Sequence, residues 1–187
     1  MAHRTVSRVE AEDEFAFIDS DEELEAFLEQ VAPHIGWIVV YFNSLEDHIG
    51  DFIRQLILRD PYQDERLEVF LSDMMYAAKS RALLHLYGQV IADTSVKVTL
   101  EELRELEQLL NECAIRRNEY AHADWIGVRK EGFLRVKSQS KKTGVVHRYK
   151  RVDLEQLKED VAFIRAARHT LVDFDDVIQG QLWERAR

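Results

Sequence analysis

The 187-residue chain contains few of the residues that interrupt regular structure, and it is nearly free of cysteine. Two prolines, Pro33 and Pro61, and seven glycines are too few for a sandwich or barrel built from many tight turns. The single cysteine, Cys113, excludes an internal disulfide and agrees with a reducing cytoplasm. The length and apolar content are typical of one largely helical domain.

Long hydrophobic runs are also absent. The longest is "WIVVYF" at 37–42, far short of the roughly 20 residues that cross a bilayer. The first residues, "MAHRTVSRVEAEDEF", place no apolar core before an acidic cluster, which argues against a secretory signal. We therefore expect a cytoplasmic protein with no membrane partner.

The net charge of −10 hides a strong local asymmetry. Residues 129–151 hold nine Lys or Arg against one acid, a local net charge of +8, so the rest of the chain carries −18. A basic segment on an acidic protein attracts a polyanion such as RNA, and the alternative is a solvated charged hairpin. The candidate RNA-binding residues are Arg116, Arg135, Lys137, Lys141 and Lys142.

Helical periodicity begins after an acidic N-terminal arm at 1–19 and predicts a helical domain at 20–187. "SDEE" at Ser20 and "TLEE" at Thr99 have capping-box spacing, Pro33 is expected to end or kink the first helix, and Asp153 with Gln156 is expected to cap the last. The predicted helices cover about 20–33, 34–59, 64–91, 99 onward and 154–183. The apolar residues predicted to face the core are Ile38, Phe42, Leu45, Ile49, Phe52, Ile53 and Leu56 on the second helix; Leu67, Leu71, Met74, Ala78 and Leu86 on the third; and Leu157, Val161, Ile164, Ala167, Leu171, Phe174 and Ile178 on the last. "GFLRVKS", "KKTG" and "VVHRYKRV" alternate around a turn and predict a β-hairpin at about 132–151. The predicted fold is an all-α bundle of four or five helices with one inserted β-hairpin.

The helix after Thr99 carries an apolar stripe whose next position is a charged residue. Leu103, Leu106, Leu110 and Cys113 follow spacings of three and four, and the next position is Arg117. A partly buried guanidinium needs a partner, an anion or a subunit interface. Glu46, inside the stripe of the second predicted helix, is a candidate partner, although an acid at that position can also reach solvent.

Arg117, Asn118 and His122 are the candidate catalytic residues. Asn118 and His122 are four apart, so one helix face would bring an arginine fork, an amide and a proton-exchanging imidazole together. The alternative is a helix C-terminus whose cations complement the helix dipole, with His122 beside the cap.

The segment "RNEYAH" at 117–122, on the penultimate long helix of a small helical bundle, resembles the Arg-Asn-x-x-x-His motif of HEPN domains, and the resemblance covers roughly residues 20–183. It implies a homodimer with a composite, metal-independent ribonuclease site, in a toxin–antitoxin, abortive-infection or antiphage system. Arg117 would contact the scissile phosphate, His122 would transfer protons, and Asn118 would hold the geometry.

The resemblance implies no cofactor and no metal, and it leaves an antitoxin or defence protein as a possible partner. Some HEPN toxins carry a tyrosine two residues after the histidine, which a nucleotidyltransferase modifies, whereas this chain has Asp124 there. Two alternatives to the ribonuclease remain: a non-catalytic RNA- or nucleotide-binding dimerisation module, and a structural helical adaptor.

Overall fold

The computed structural model describes residues 4–6, 21–93, 97–128, 132–142 and 144–185. Within these ranges the chain forms five α-helices and four β-strands. The helices are α1 Asp21–Ile57, α2 Glu68–Leu71, α3 Tyr76–Asp93, α4 Leu100–Ala121 and α5 Leu154–Arg185, with a 3-10 turn at Glu65–Leu67. The strands are β1 Arg4–Val6, β2 Asp124–Val128, β3 Gly132–Lys141 and β4 Gly144–Arg151. The chain is predominantly helical, so the prediction of an all-α bundle with an inserted hairpin is confirmed.

The chain divides into two compact units. The first, called the sheet unit here, comprises Met1–Val39 and Arg116–Val161. The second, the helical unit, comprises Val40–Ile115 and Ala162–Arg187. Helices α1, α4 and α5 each supply residues to both units. The candidate catalytic residues all belong to the sheet unit.

The predicted hairpin is part of a larger antiparallel sheet. β3 and β4 pair from Leu134 with Arg151 to Lys141 with Gly144, which confirms the hairpin. The sheet order is β1-β4-β3-β2, so a strand joins each side of it. The sequence predicted neither outer strand. β2 is a short strand interrupted by a glycine, and β1 comes from the predicted acidic arm, so both depend on pairing with the hairpin.

Helix α1 corrects one of the two outcomes predicted for Pro33, that it ends the first helix. The helix runs through this proline without interruption for 37 residues. Proline inside a helix removes one backbone donor and costs about 3 kcal/mol. Val31 and Ile38, on either side of it, are fully buried, and burying two such side chains offsets a cost of that size. Tertiary packing therefore outweighs the local preference.

The predicted helix at 64–91 is also interrupted. Asp64 caps a 3-10 turn, where its side chain accepts a hydrogen bond from the Arg66 amide at 3.2 Å. α2 then ends at Leu71, and α3 begins at Tyr76. Ser72 and Asp73 lie in this break, and both residue types compete with helical backbone bonding. The break resets the helical phase, so the buried face of α3 carries Leu83, Leu84 and Tyr87 in place of the predicted Ala78 and Leu86.

The predicted helix starts are confirmed at two of three positions. The Glu102 amide donates to Thr99 Oγ1 at 3.2 Å, and the Thr99 amide donates to Glu102 Oε2 at 2.7 Å, a reciprocal capping box. Asp153 accepts from the Glu155 amide at 3.0 Å, although Gln156 takes no part in this cap and donates to side chains of α5. The predicted cap at Ser20 lies outside the described residues.

Buried apolar stripes on the long helices form the core. Six of the seven predicted stripe residues of α1 are buried, as are five of the seven on α5. The stripe of α4 contributes three more buried residues. These are Ile38, Phe42, Leu45, Ile49, Phe52 and Ile53; Leu157, Ile164, Ala167, Leu171 and Ile178; and Leu106, Leu110 and Cys113. No described helix is both long enough and apolar enough to cross a membrane.

A buried tyrosine–carboxylate pair lies in the core of the helical unit. The Tyr87 hydroxyl donates to Asp175 Oδ1 at 2.8 Å, and the Tyr87 ring packs against Phe174 with centroids 5.2 Å apart. Burial raises the pKa of Asp175 from 3.8 to about 6, although its hydrogen bond with Tyr87 opposes the rise. The folded chain therefore holds this proton more tightly than the unfolded chain does.

We expect the Asp175 proton to make folding stability fall as the pH rises from about 4 to about 6. Asp175→Asn keeps an oxygen acceptor for Tyr87 and removes the titration. The free energy of unfolding of this variant should increase relative to that of wild type across this range. At about pH 8 the variant should be more stable by about 1–2 kcal/mol, a value reduced to allow for solvent screening. Urea unfolding at about pH 4.5 and pH 8 measures the difference. Asp173→Asn, an exposed change on the same helix, is the control. Parallel curves for wild type and Asp175→Asn would contradict this assignment.

Candidate active site

The motif lies at the end of α4, with residues 117–121 in its last turn and His122 directly after it. Leu106, Leu110 and Cys113 are buried, and Arg117 is half-buried, as the stripe predicted. Tyr120, three residues further on, is only 5% exposed. The buried face of α4 therefore continues past the arginine to the end of the helix.

A buried carboxylate from α5 holds this last turn. Asp160 Oδ1 accepts from Arg116 Nη1 at 2.8 Å, and Asp160 Oδ2 accepts from the Tyr120 hydroxyl at 2.6 Å. The side chain of Asp160 is 6% exposed and that of Arg116 is 26% exposed. Gln156 Nε2 adds a longer contact to Oδ1 at 3.4 Å. The charge of Asp160 is thus compensated by a guanidinium, a phenol and an amide.

Asp160 and Tyr120 were not among the residues predicted to form the site. Asp160 lies between Leu157 and Ile164 on the buried stripe of α5. An acidic residue within an apolar stripe is the same pattern that made Glu46 a candidate, so the sequence did contain an indication of Asp160. Arg116, which was predicted to bind RNA, donates a hydrogen bond from Nη1 to Asp160 Oδ1. Its RNA-binding role stays a prediction, now beside a structural role for the same side chain.

The structure brings two of the three candidate catalytic side chains into contact. Arg117 Nη1 donates to Asn118 Oδ1 at 2.9 Å, so the amide oxygen orients the guanidinium. His122 follows the last helical residue, Ala121, and is exposed. The imidazole is thus positioned by the end of the helix and open to a ligand.

The basic sheet is anchored beside the motif. Lys150 Nζ on β4 lies 3.0 Å from Glu119 Oε2 on α4. Trp125 on β2 and Lys150 on β4 both pair with the Arg135 backbone in the register, so Trp125 and Lys150 lie on the same face of the sheet. The Trp125 ring also packs against Phe27 of α1, with centroids 6.4 Å apart. The face of the sheet that carries this row therefore meets α1 and the end of α4.

The other predicted RNA-binding residues follow along the hairpin. Lys137 lies opposite Arg148 in the register, and Lys141 lies opposite Gly144 at the end of the hairpin. Lys142 is in the turn and is exposed. Their binding roles remain predictions. Arg129 and Lys130, which belong to the same basic segment, lie outside the described residues.

Glu46 has a lysine partner within the helical unit. Its Oε1 accepts from Lys79 Nζ at 2.9 Å, and both side chains are largely shielded from solvent. This contact explains how an acid is accommodated within the α1 stripe. The predicted support of Arg117 by Glu46 stays a prediction.

Chemically, the end of α4 offers an oriented guanidinium in its last turn and an exposed imidazole directly after it, five residues apart in sequence. No group of three or more His, Cys, Asp or Glu residues in the described part of the chain is placed to hold a metal ion. Comparison of the chain with protein-family models, with curated proteins and with solved structures finds no significant match in any of the three.

Proposed function

We propose that the protein is a metal-independent endoribonuclease of the HEPN type that acts in a prokaryotic toxin or antiphage defence system. The observation that carries the proposal is the end of α4, where Arg117 is oriented by Asn118 and followed by an exposed His122. Arg, Asn and His at these spacings are the residues by which the chain resembles HEPN ribonucleases.

RNA supplies its own nucleophile for this reaction. The 2′-oxygen attacks the adjacent phosphorus, the bond from phosphorus to the 5′-oxygen breaks, and a 2′,3′-cyclic phosphate forms. An imidazole takes the proton from the 2′-hydroxyl or gives one to the departing 5′-oxygen, and the Arg117 guanidinium stabilises the charge on the phosphorane. Two copies of the motif in a dimer supply both proton-transfer roles.

The basic hairpin supports an RNA substrate in this proposal. Its strands hold Arg135, Lys137 and Lys141, and the Lys150–Glu119 contact keeps the sheet next to α4. Phosphate contacts from such residues release counterions, so the binding would weaken steeply with salt. An antitoxin or another defence-system protein would hold the activity in check.

The exposed face of α4 supports a homodimer. Asn118 and His122 are exposed, and Ile115, three residues before Asn118 on the same face, is 55% exposed. An exposed isoleucine beside two motif residues suits a two-fold contact that brings both motifs together.

We expect Ile115→Asp to disrupt this dimer, because it would place a charge at the centre of an apolar contact. The molar mass from light scattering at micromolar concentration should fall from dimer to monomer, and RNA cleavage should fall with it. Val69→Asp, an exposed apolar position on α2, is the control and should remain dimeric. A wild-type monomer, or an Ile115→Asp dimer, would contradict the shared site.

Incubation with RNA in the presence of EDTA tests the activity itself. We expect cleavage that leaves 2′,3′-cyclic phosphate ends, and no cleavage of DNA of the same sequence, which lacks the nucleophile. Salt-dependent RNA binding without cleavage would favour the non-catalytic binding module instead.

A further inference from the structure

A groove on the helical unit lies between α4 and α5, away from the motif in sequence. Its volume is about 510 Å³. Its lining residues are Val98, Glu102, Glu105, Leu106, Leu109, Thr170, Asp173, Phe174 and Val177. Val98 and Leu106 are buried and form an apolar floor, whereas Val177 is 41% exposed.

The two helices contribute to the groove with the same spacing. On each, the lining residues recur at i, i+3, i+4 and i+7, at 102, 105, 106 and 109 on α4 and at 170, 173, 174 and 177 on α5. Each set spans about 10 Å, which is two helical turns. A valley of this shape between two helices accepts the apolar side of a third helix.

The titratable residues of the lining are all acids. Glu102, Glu105 and Asp173 are exposed, and no lysine, arginine or histidine is among the lining residues that the structure describes. Hydrogen bonds from the amide and the hydroxyl of Thr99 lower the pKa of Glu102, so its carboxylate keeps its charge. These three negative charges beside the apolar floor would repel an anionic occupant such as RNA.

The sequence also argues against one segment of this chain, residues 7–20, as the occupant of the groove. Residues 7–20 contain five acids and a single base, Arg8. A segment of that charge would be repelled by the three acids of the groove. An occupant with apolar side chains on one face and cations beside them complements the groove in both respects.

We propose that this groove binds a basic amphipathic helix of a partner protein. Apolar side chains of that helix at i, i+3 or i+4, and i+7 would enter between α4 and α5, and its Lys or Arg side chains would pair with Glu102, Glu105 and Asp173. The proposal does not depend on the ribonuclease activity, because no motif residue lines the groove.

A synthetic helix tests it directly. The probe is a fluorescein-labelled peptide of about 15 residues with Leu at i, i+4, i+7 and i+11 and Lys or Arg on either side, and its scramble has the same composition without the stripe. Fluorescence anisotropy with the full chain should show binding of the probe at least about tenfold tighter than of the scramble. The binding should weaken as the salt concentration rises.

Charge reversal locates the site. The double variant Glu105→Lys with Asp173→Lys should weaken binding of the probe by about tenfold or more. The matched variant, Asp47→Lys with Glu107→Lys, makes the same charge change at exposed positions of the same unit that do not line the groove, and should weaken it less than about threefold. All four positions are on the surface, so circular dichroism should show both variants folded.

Three results would overturn the proposal. The first is equal binding of the probe and its scramble, and the second is an equal loss of affinity in the two double variants, which would reduce the effect to net charge. The third is a change in the molar mass of the protein alone on reversing Glu105 and Asp173, because that result would assign the groove to a contact between copies of this chain.

Discussion

Replacing His122 with alanine is expected to slow RNA cleavage by about 10²–10⁴-fold, the usual contribution of a general acid or base. Binding of RNA should change little, because the imidazole transfers protons and is not a phosphate anchor in this proposal. Single-turnover cleavage and a gel-shift assay on the same RNA separate the two effects. His85→Ala, which removes an exposed histidine from α3, should cleave at the wild-type rate.

Arg117→Ala should lower the cleavage rate by a comparable factor, since a cation placed at the phosphorane stabilises the charge that develops there. It should also weaken RNA binding, because the guanidinium contacts the phosphate in the bound substrate. Wild-type activity should survive EDTA, and an RNA with a single 2′-deoxy sugar at the scissile position should remain uncut. Undiminished cleavage by His122→Ala, or loss of wild-type activity with chelator, would refute the mechanism.

Removal of the Asp160 carboxylate should produce the largest loss of stability. Asp160→Ala leaves the partly buried Arg116 guanidinium and the Tyr120 hydroxyl without this acceptor. Breaking a buried ion pair from one side costs about 3–5 kcal/mol, and the partial exposure of Arg116 places the expected loss near about 3 kcal/mol. Urea unfolding measures it. Glu159→Ala, an exposed acid one position earlier, should cost less than about 0.5 kcal/mol.

An apolar replacement distinguishes an unpaired charge from lost packing. Asp160→Leu combined with Arg116→Met and Tyr120→Phe removes the charge and its donors together, so it should recover most of the stability lost in Asp160→Ala. Asp160→Asn, which keeps an oxygen acceptor, should lie between the two. A triple variant as unstable as Asp160→Ala would show that packing, and not the buried charge, dominates at this position.

Local signals were sufficient for much of the helical architecture. The Thr99–Glu102 capping box forms as predicted, and Asp153 caps α5 without the predicted help of Gln156; the hydrogen bonds of both caps join residues two or three apart. The stripes of α1 and α5 are buried at most of their predicted positions, since the helical period decides which face is apolar.

Predictions from local signals were wrong at two positions. Pro33 is retained inside α1 because burial on either side of it outweighs its local preference. The break before α3 has a local cause in Ser72 and Asp73, which the apolar periodicity did not take into account.

The sequence by itself determined the composition of the motif, its place at the end of a helix, and the alternating basic hairpin. Only the tertiary structure decided which residues hold that motif, since Asp160 is 44 residues from Arg116 and 40 from Tyr120. It also decided that Lys150 meets Glu119, 31 residues away, and that two short strands join the hairpin. Contacts of this kind depend on how helices and strands pack, so the sequence can indicate an acid within an apolar stripe, but its donors on another helix are identified only when both helices are in place.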